Sequence, residues 1–452
     1  MNIEIIDVTA LNLPEGGDVV DWFQANPAAT LDDLLALPRN ADAEKSEIPD
    51  DLFNDLKARA EALSKDSDNN IVQALLNEMQ GLDALSRRTL LWIIKQKTGI
   101  TLGDLNRARA ESGNGQEPDH LELAREVIAG TEAENLLSTT THVWRWRDSG
   151  VWRIIHDREV KQLVQHIMEK RSHDIFRGLI DSVAEVLKTE IFAKEHEWDR
   201  DKDAINFLNG ELHWTEEVWE LKEHCREHHR TTQIPHIYDP AAECSRFRQF
   251  LEEVFANDKD SAAKTILIFE LIGYTLVSNS RYEVFILLIG PGANGKSVLL
   301  DIIRVLVGME NVAAVQPSQF SNRFQRAHLH LKLANLVTEI AEGSEIADAE
   351  LKAIVSGELT TAEHKFQPPF DFRPFCTCWF GTNHLPHTRD FSDALFRRAV
   401  IIPFNRIFKY GVDADPKLKD KLADEIPGII NISLRAFGEV IKRGAFTEPE
   451  TE

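Results

Sequence analysis

Residues 284–300 read Val-Phe-Ile-Leu-Leu-Ile-Gly-Pro-Gly-Ala-Asn-Gly-Lys-Ser-Val-Leu-Leu. The six apolar residues 284–289 have the length and composition of a strand buried on both faces of a parallel sheet. Gly290-Pro291-Gly292-Ala293-Asn294-Gly295-Lys296-Ser297 satisfies G-x-x-x-x-G-K-[ST] in full. Val298 to Val307 has helix length and stops at Gly308, a natural cap. Strand, glycine loop and helix stand in the order that a phosphate-binding loop requires. Gly290, Gly292, Ala293, Asn294 and Gly295 let backbone N–H groups close around phosphate oxygens, and the helix N-terminus adds partial positive charge. Lys296 is expected to reach the β- and γ-phosphates of a nucleoside triphosphate, and Ser297 to hold Mg²⁺ through its hydroxyl.

Such a loop needs an acid at the end of a neighbouring strand. Leu333 to Ile340 reads LANLVTEI, and Glu339 closes that apolar run, so Glu339 is expected to hold the Mg²⁺ shell and orient the attacking water. Glu342 and Glu345 fall in a stretch, AEGSEIADAE, that reads as solvated surface. A further strand is expected over Phe375–Asn383, with Asn383 just past its end, placed to orient water or sense the γ-phosphate. Cys376 and Cys378 alternate along it and are expected to pack on one face. Arg397 and Arg398 precede the apolar run Val400-Ile401-Ile402, and either fits a finger reaching a neighbouring subunit's γ-phosphate or a surface ion pair.

Upstream, apolar residues at helical spacing from about Asp50 to Ala110 predict a small helical region, and Leu121–Ile128 a further helix. Residues 1–45, with an apolar-spaced stretch from Leu31 to Leu37, read as a loose lead-in, and 112–120 as a linker. THVWRWRDSGVWRII, residues 141–155, predicts a β-hairpin whose Trp144, Trp146 and Trp152 form its core. Asn209-Gly210 predicts a second hairpin between 205–208 and 211–214, with a helical span over 157–194 between the two. HCREHHR, residues 224–230, offers His and Cys ligands, but with no second cluster at zinc-finger spacing it reads as a solvated helix.

The 452 residues suffice for two or three domains. The net charge of −23 argues against a protein that coats nucleic acid with its whole surface. The charge is uneven: residues 1–140 carry 12 basic and 26 acidic side chains, and residues 281–410 carry 14 and 13. A neutral central segment permits a local nucleic-acid site. No apolar run long enough for a membrane helix occurs, the N-terminus does not read as a signal peptide, and four cysteines fit a reducing cytoplasm.

Residues from about 140 to 447 resemble the helicase module of the phage/plasmid primase family, which includes the poxvirus primase-helicase. The matching pieces are GPGANGKS, LVTEI, LKAIVSGELTTAEHKFQPPFDFRP, WFGTNHLP, DALFRRAVIIPF and EIPGIIN. The resemblance implies an α/β fold: an AAA+-like P-loop NTPase core with a mostly parallel sheet over 241–410. An α-rich domain with β-hairpins precedes it over 46–240, and a helical segment follows over 411–452. It implies a superfamily 3 helicase, using ATP and Mg²⁺ as a ring, most simply a hexamer, on single-stranded or forked DNA. Lys296 and Ser297 take the Walker A roles, Glu339 the Walker B glutamate, Asn383 sensor 1 and Arg397 the finger, with Arg398 the runner-up. His364, Lys365 and Phe366 match the hairpin that grips DNA in the pore.

Two departures stand out. Thr338 occupies a position where many ATPases carry an acid, and the family's primase portion is missing, residues 1–45 resembling the stretch that trails one. A separate primase or polymerase is therefore an expected partner, in the cytoplasm of a bacterial cell bearing a phage, plasmid or integrated element. The competing reading is a DNA-binding ring ATPase that remodels or loads replication proteins without unwinding.

Overall fold

The computed structural model describes residues 50–450 apart from 66, 80–81, 83, 106–107, 109–118, 132, 171–176, 195, 341–342, 385–394, 396, 410 and 413–414. The lead-in over 1–45, most of the linker and most of the run 391–396 lie outside the described residues. Contacts divide the chain into two compact units between Asp119 and His120.

The first unit is helical, as its apolar spacing predicts. Helices Asp50–Glu61, Asn69–Glu78 and Ala84–Thr98 bury Leu56, Leu75, Leu76, Leu90 and Ile94 against one another. Asp68 caps the second helix by accepting from Asn70 N at 2.9 Å. Arg59 reaches both carboxylate oxygens of Glu78, at 2.6 and 2.8 Å, tying the first helix to the second.

The second unit opens with helix His120–Gly130 and a three-stranded antiparallel sheet, β1 Leu136–Ser138, β2 Val143–Arg147 and β3 Val151–Ile155. Trp144 and Trp152 are buried and Trp146 is half-buried, as expected of the hairpin's own core. The span after it is two helices, Asp157–Lys170 and Arg177–Glu190. The Asn-Gly hairpin is present as β4 Ile205–Phe207 and β5 Gly210–Thr215, extended by β6 Val218–Lys222.

The second half of this unit is built on five parallel strands. They are β7 Phe285–Ile289, β8 Val312–Ala313, β9 Ala334–Val337, β12 Thr377–Thr382 and β13 Ala399–Pro403, in the order β13-β7-β12-β9-β8. Alternate residues feed two cores. Ile286, Leu288, Leu336 and Trp379 face helices Ser245–Val254, Ser261–Thr275, Lys296–Val307 and Ile426–Arg443. Phe285, Leu287, Cys378 and Phe380 face the other side with Phe320, Leu351 and Ile354. Cys376 and Cys378 lie in that second core, on the shared face the sequence predicts. Each such buried side chain contributes about 1.5–3 kcal/mol, so strands covered on both faces anchor whatever loops leave their ends.

Helix Ile426–Arg443 packs on helix Ser261–Thr275 so closely that a Cβ on Gly273 would stand 2.4 Å from the Ser433 carbonyl oxygen. Buried Glu270 holds the same pair by accepting from Arg443 and from the Thr447 backbone and hydroxyl. A small antiparallel hairpin, β10 Thr360–Ala362 and β11 Phe370–Phe372, lies between the helix Asp348–Val355 and β12. Among the described residues no helix is long and apolar enough to cross a membrane.

Candidate active site

All five strands run the same way, so the loops at their C-terminal ends collect along one edge of the sheet. The loop after β7 is the glycine loop. Gly290 has φ 157° and Gly295 φ 95°, and a Cβ on Gly290 would stand 2.3 Å from the Phe404 carbonyl oxygen. That oxygen accepts from Asn294 Nδ2 at 3.1 Å, and Phe408 N donates to Ala293 O at 2.7 Å. The segment after β13 therefore braces the loop from outside. Gly295 is the N-cap of helix Lys296–Val307, so the first turn's free N–H groups open into the loop. Gly292, Ala293 and Ser297 are exposed at its mouth.

Lys296 is buried, and its ammonium donates to Gly290 O, Pro291 O, Asn294 Oδ1 and, at 3.3 Å, Asn383 Oδ1. Burial pushes its pKa below the usual lysine value, against the pull of Glu339. Asn383 follows β12 and Glu339 follows β9, and β12 lies between β9 and β7. Asn383 Nδ2 donates to Glu339 Oε1 at 3.4 Å, so one amide links the ammonium to the carboxylate. Gln316 holds the Glu339 backbone carbonyl at 3.1 Å. Sequence separations of 44 to 87 residues thus close into a single polar line at the ends of three adjacent strands.

This site fits a triphosphate and its cation on the chemistry of its donors. A glycine loop with no room for a Cβ at Gly290, a helix N-terminus and a desolvated ammonium suit phosphate oxygens. The exposed hydroxyl of Ser297 and the exposed carboxylate of Glu339 are hard oxygen ligands of the kind Mg²⁺ takes.

The two arginines stand elsewhere. Parallel pairing sets Ala399 beside Phe285, at the opposite end of β7 from the glycine loop. Arg398 is half-buried and ion-paired to Glu283 at 2.6 Å, with Ser356 beside it, whereas Arg397 is exposed. Neither belongs to this chain's own cluster around Lys296.

Lys365 and Phe366 form the tip of the β10–β11 hairpin. Phe366 is fully exposed at a φ of 65°. His364 differs from its neighbours, for it is half-buried and stacks on Phe370, ring centroids 5.3 Å apart.

HCREHHR does not form the solvated helix that its composition predicts. Only Arg226–His228 form a short 3₁₀ turn, and the side chains of His228 and Arg230 enter a buried ion network rather than lining a solvated helix. Glu211, fully buried, accepts from Arg230 Nε at 2.8 Å and the Cys225 backbone at 2.9 Å, and hydrogen-bonds His228 Nδ1. The ligand atoms of Glu211, His213 and His228 lie within 4.8 Å of one another. The Arg230 guanidinium already neutralises the carboxylate that a cation would need. The signal for this network, a glutamate in one hairpin and an arginine 19 residues on, has no recognisable spacing.

Comparison with known proteins adds lineage. Residues 120–256 match a family described as D5 N terminal like, and residues 288–398 match a family of unknown function, DUF5906. A putative helicase of Acanthamoeba polyphaga mimivirus is 26% identical over 200 residues, covering 39% of this chain and 21% of that protein. A putative helicase of Invertebrate iridescent virus 3 is 25% identical over 187 residues, covering 38% and 19%. These matches liken the chain to a phage and viral primase-helicase family. It spans about a fifth of the length of these two curated relatives. Within this chain the first match takes in β1 to β6, and the second takes in Lys296, Glu339, the hairpin tip and Asn383. Two solved structures of the apo C-terminal region of NrS-1 are 14% identical. One has a TM-score of 0.48 and covers 71% of this chain and 69% of that one; the other has 0.47, covering 74% and 76%.

Proposed function

We propose that this chain is the motor of a superfamily 3 DNA helicase with an AAA+-type P-loop core, hydrolysing ATP between the subunits of a ring, most simply a hexamer, during phage or plasmid replication. The observation that carries the reading is the polar line Lys296–Asn383–Glu339 at the C-terminal ends of β7, β12 and β9. In phosphoryl transfer the protein's work is positioning and charge stabilisation. Lys296 and the helix N-terminus take the β- and γ-phosphates, Glu339 orients water for in-line attack, and Asn383 holds that water and senses the γ-phosphate. Ser297 and Glu339 are the residues that would hold Mg²⁺, which neutralises charge on the phosphate oxygens when bound.

The register supports an arginine finger supplied in trans. With Ala399 beside Phe285, Arg397 starts a full strand length from Gly290, roughly 17 Å at about 3.3 Å per residue. That is beyond an arginine's reach, so a finger at Arg397 would serve a neighbour's site; Arg397 is exposed, whereas Arg398 is half-buried beside Glu283. Lys365 and Phe366 supply a cation and a bare aromatic face at one hairpin tip, a sequence-tolerant grip on a DNA backbone and base. A locally basic tip reconciles DNA binding with the net charge of −23.

The test is ATP turnover with and without single-stranded DNA in the parent and in Lys365→Ala. The reading expects stimulation in the parent and its loss in the variant. A parent that hydrolyses ATP with no response to DNA moves the remodelling ATPase ahead.

A further inference from the structure

A cavity of about 370 Å³ opens where three segments meet: the β2–β3 hairpin, the turn 327–332 before β9, and the base of the β10–β11 hairpin. Its volume is at the low end of small-ligand sites, which run from about 300 to 1,000 Å³. The walls combine flat rings with cations. His142 stacks on His330, centroids 6.2 Å apart and planes 30° apart, and His330 packs on Phe370 and Phe372 at 5.1 and 5.2 Å. Arg153 and Lys332 bring two positive charges, and Glu310 is the single acid among the lining residues.

That acid is largely spoken for. Glu310 is mostly exposed and pairs its carboxylate with Arg153 at 3.0 Å. Lys332 donates to the Glu310 backbone carbonyl, and among the described residues no carboxylate stands within ion-pair distance of it. Burial pushes Lys332 below the ordinary lysine pKa; Glu310 opposes that shift and Arg153 adds to it. A half-buried ammonium whose nearest oxygen is neutral gains from an incoming anion. In a chain of net charge −23 this local positive excess stands out.

We infer that this cavity holds one nucleotide of single-stranded DNA, its phosphate on Lys332 and Arg153 and its base against the His142–His330 rings. The strand is the one that leaves the hairpin tip, because His364 lines the cavity and is followed directly by Lys365 and Phe366. The inference rests on the reading of that tip as a DNA contact. An apolar peptide segment would leave the Lys332 ammonium desolvated without a counter-charge, and a bare phosphate would leave the rings unused. Stacking rings next to cations are the shared need of a nucleotide.

The experiment is fluorescence anisotropy of a labelled oligothymidylate against the full chain, as parent, Lys332→Gln, Arg153→Gln and Lys365→Ala, over a salt series. Each cavity variant is expected to weaken binding by roughly fivefold and to lower the slope of log K against log salt by about 0.7, at an unchanged thermal midpoint. Oligonucleotide affinity and slope unchanged in both cavity variants, with binding lost in Lys365→Ala, would overturn the inference and leave the helicase reading standing. A parent that binds no oligonucleotide would remove both. Thymidine monophosphate binding that depends on Lys332, without any effect of Lys332→Gln on the oligonucleotide, would mark a free-nucleotide site and also overturn the inference.

Discussion

At the scale of single residues, the proposed chemistry depends on the buried Lys296 ammonium and the exposed Glu339 carboxylate. Lys296→Ala removes the charge facing the phosphates and leaves Asn383 and Asn294 without their shared donor; ATP turnover is expected to fall by at least about 100-fold. Glu339→Gln keeps size and most hydrogen bonding, so nucleotide binding, measured by calorimetry, is expected to persist while turnover stops. Full turnover in either variant would remove the assignment. These two residues were legible in the sequence because each has a local sign: a fixed spacing for Lys296, and the end of an apolar run for Glu339. The partners of Arg398 were not. Glu283 sits 115 residues away, and nothing in its surroundings marks it as the acid that holds one arginine of the pair.

At the scale of elements, strands with a sharp apolar period and turns with Asn-Gly or Asp-Ser-Gly were readable, whereas helix Ser261–Thr275 was not. It is buried almost all round, so it shows no polar face and no helical period. The short β8 and the third strands β1 and β6 carry too few residues for alternation to register. The histidines between elements also have a measurable consequence. Burial, reinforced by His142 and His364 with Lys332 nearby, holds the His330 pKa down to about 4, and burial with His229 and Arg200 does the same for His196. In the unfolded chain both titrate near 6.5. A pKa lowered by folding means that the unfolded state binds more protons between those values. Stability is therefore fully present above about pH 6.5 and is lost as pH falls toward about 4. The loss is expected to be on the order of 1–3 kcal/mol in all. Thermal midpoints near pH 7.5 and pH 5 should differ accordingly, and His330→Phe, which keeps the ring packing, should shrink the difference. An equal pH dependence in the variant would show that His330 does not carry it.

At the scale of the whole molecule, the sheet register separates Arg397 from its own glycine loop, so the proposed finger role requires a neighbouring subunit. Arg397→Ala is expected to keep ATP binding and lose most turnover, as is typical when a finger worth about 10³–10⁵ is removed. Mixing Arg397→Ala with Lys296→Ala should restore some turnover, because a hybrid interface can pair an intact Lys296 with an intact Arg397. A monomer that hydrolyses ATP at full rate at every protein concentration would contradict this. Arg398→Ala, which breaks the Glu283 pair, is the control; its effect is expected on thermal stability, by about 1 kcal/mol. Overall charge gave the weakest guide to function, since an acidic exterior conceals an exposed lysine at a hairpin tip and a cation-lined cavity only a few residues from it.

The central claim is that the cluster at the strand ends drives movement along DNA, and strand displacement from a forked duplex tests it most directly. With ATP and Mg²⁺ the parent chain is expected to release the displaced strand, and Lys296→Ala to release none while still binding the fork. Robust ATP hydrolysis by the parent with no displaced strand, on forks with either a 3′ or a 5′ tail, would contradict the account.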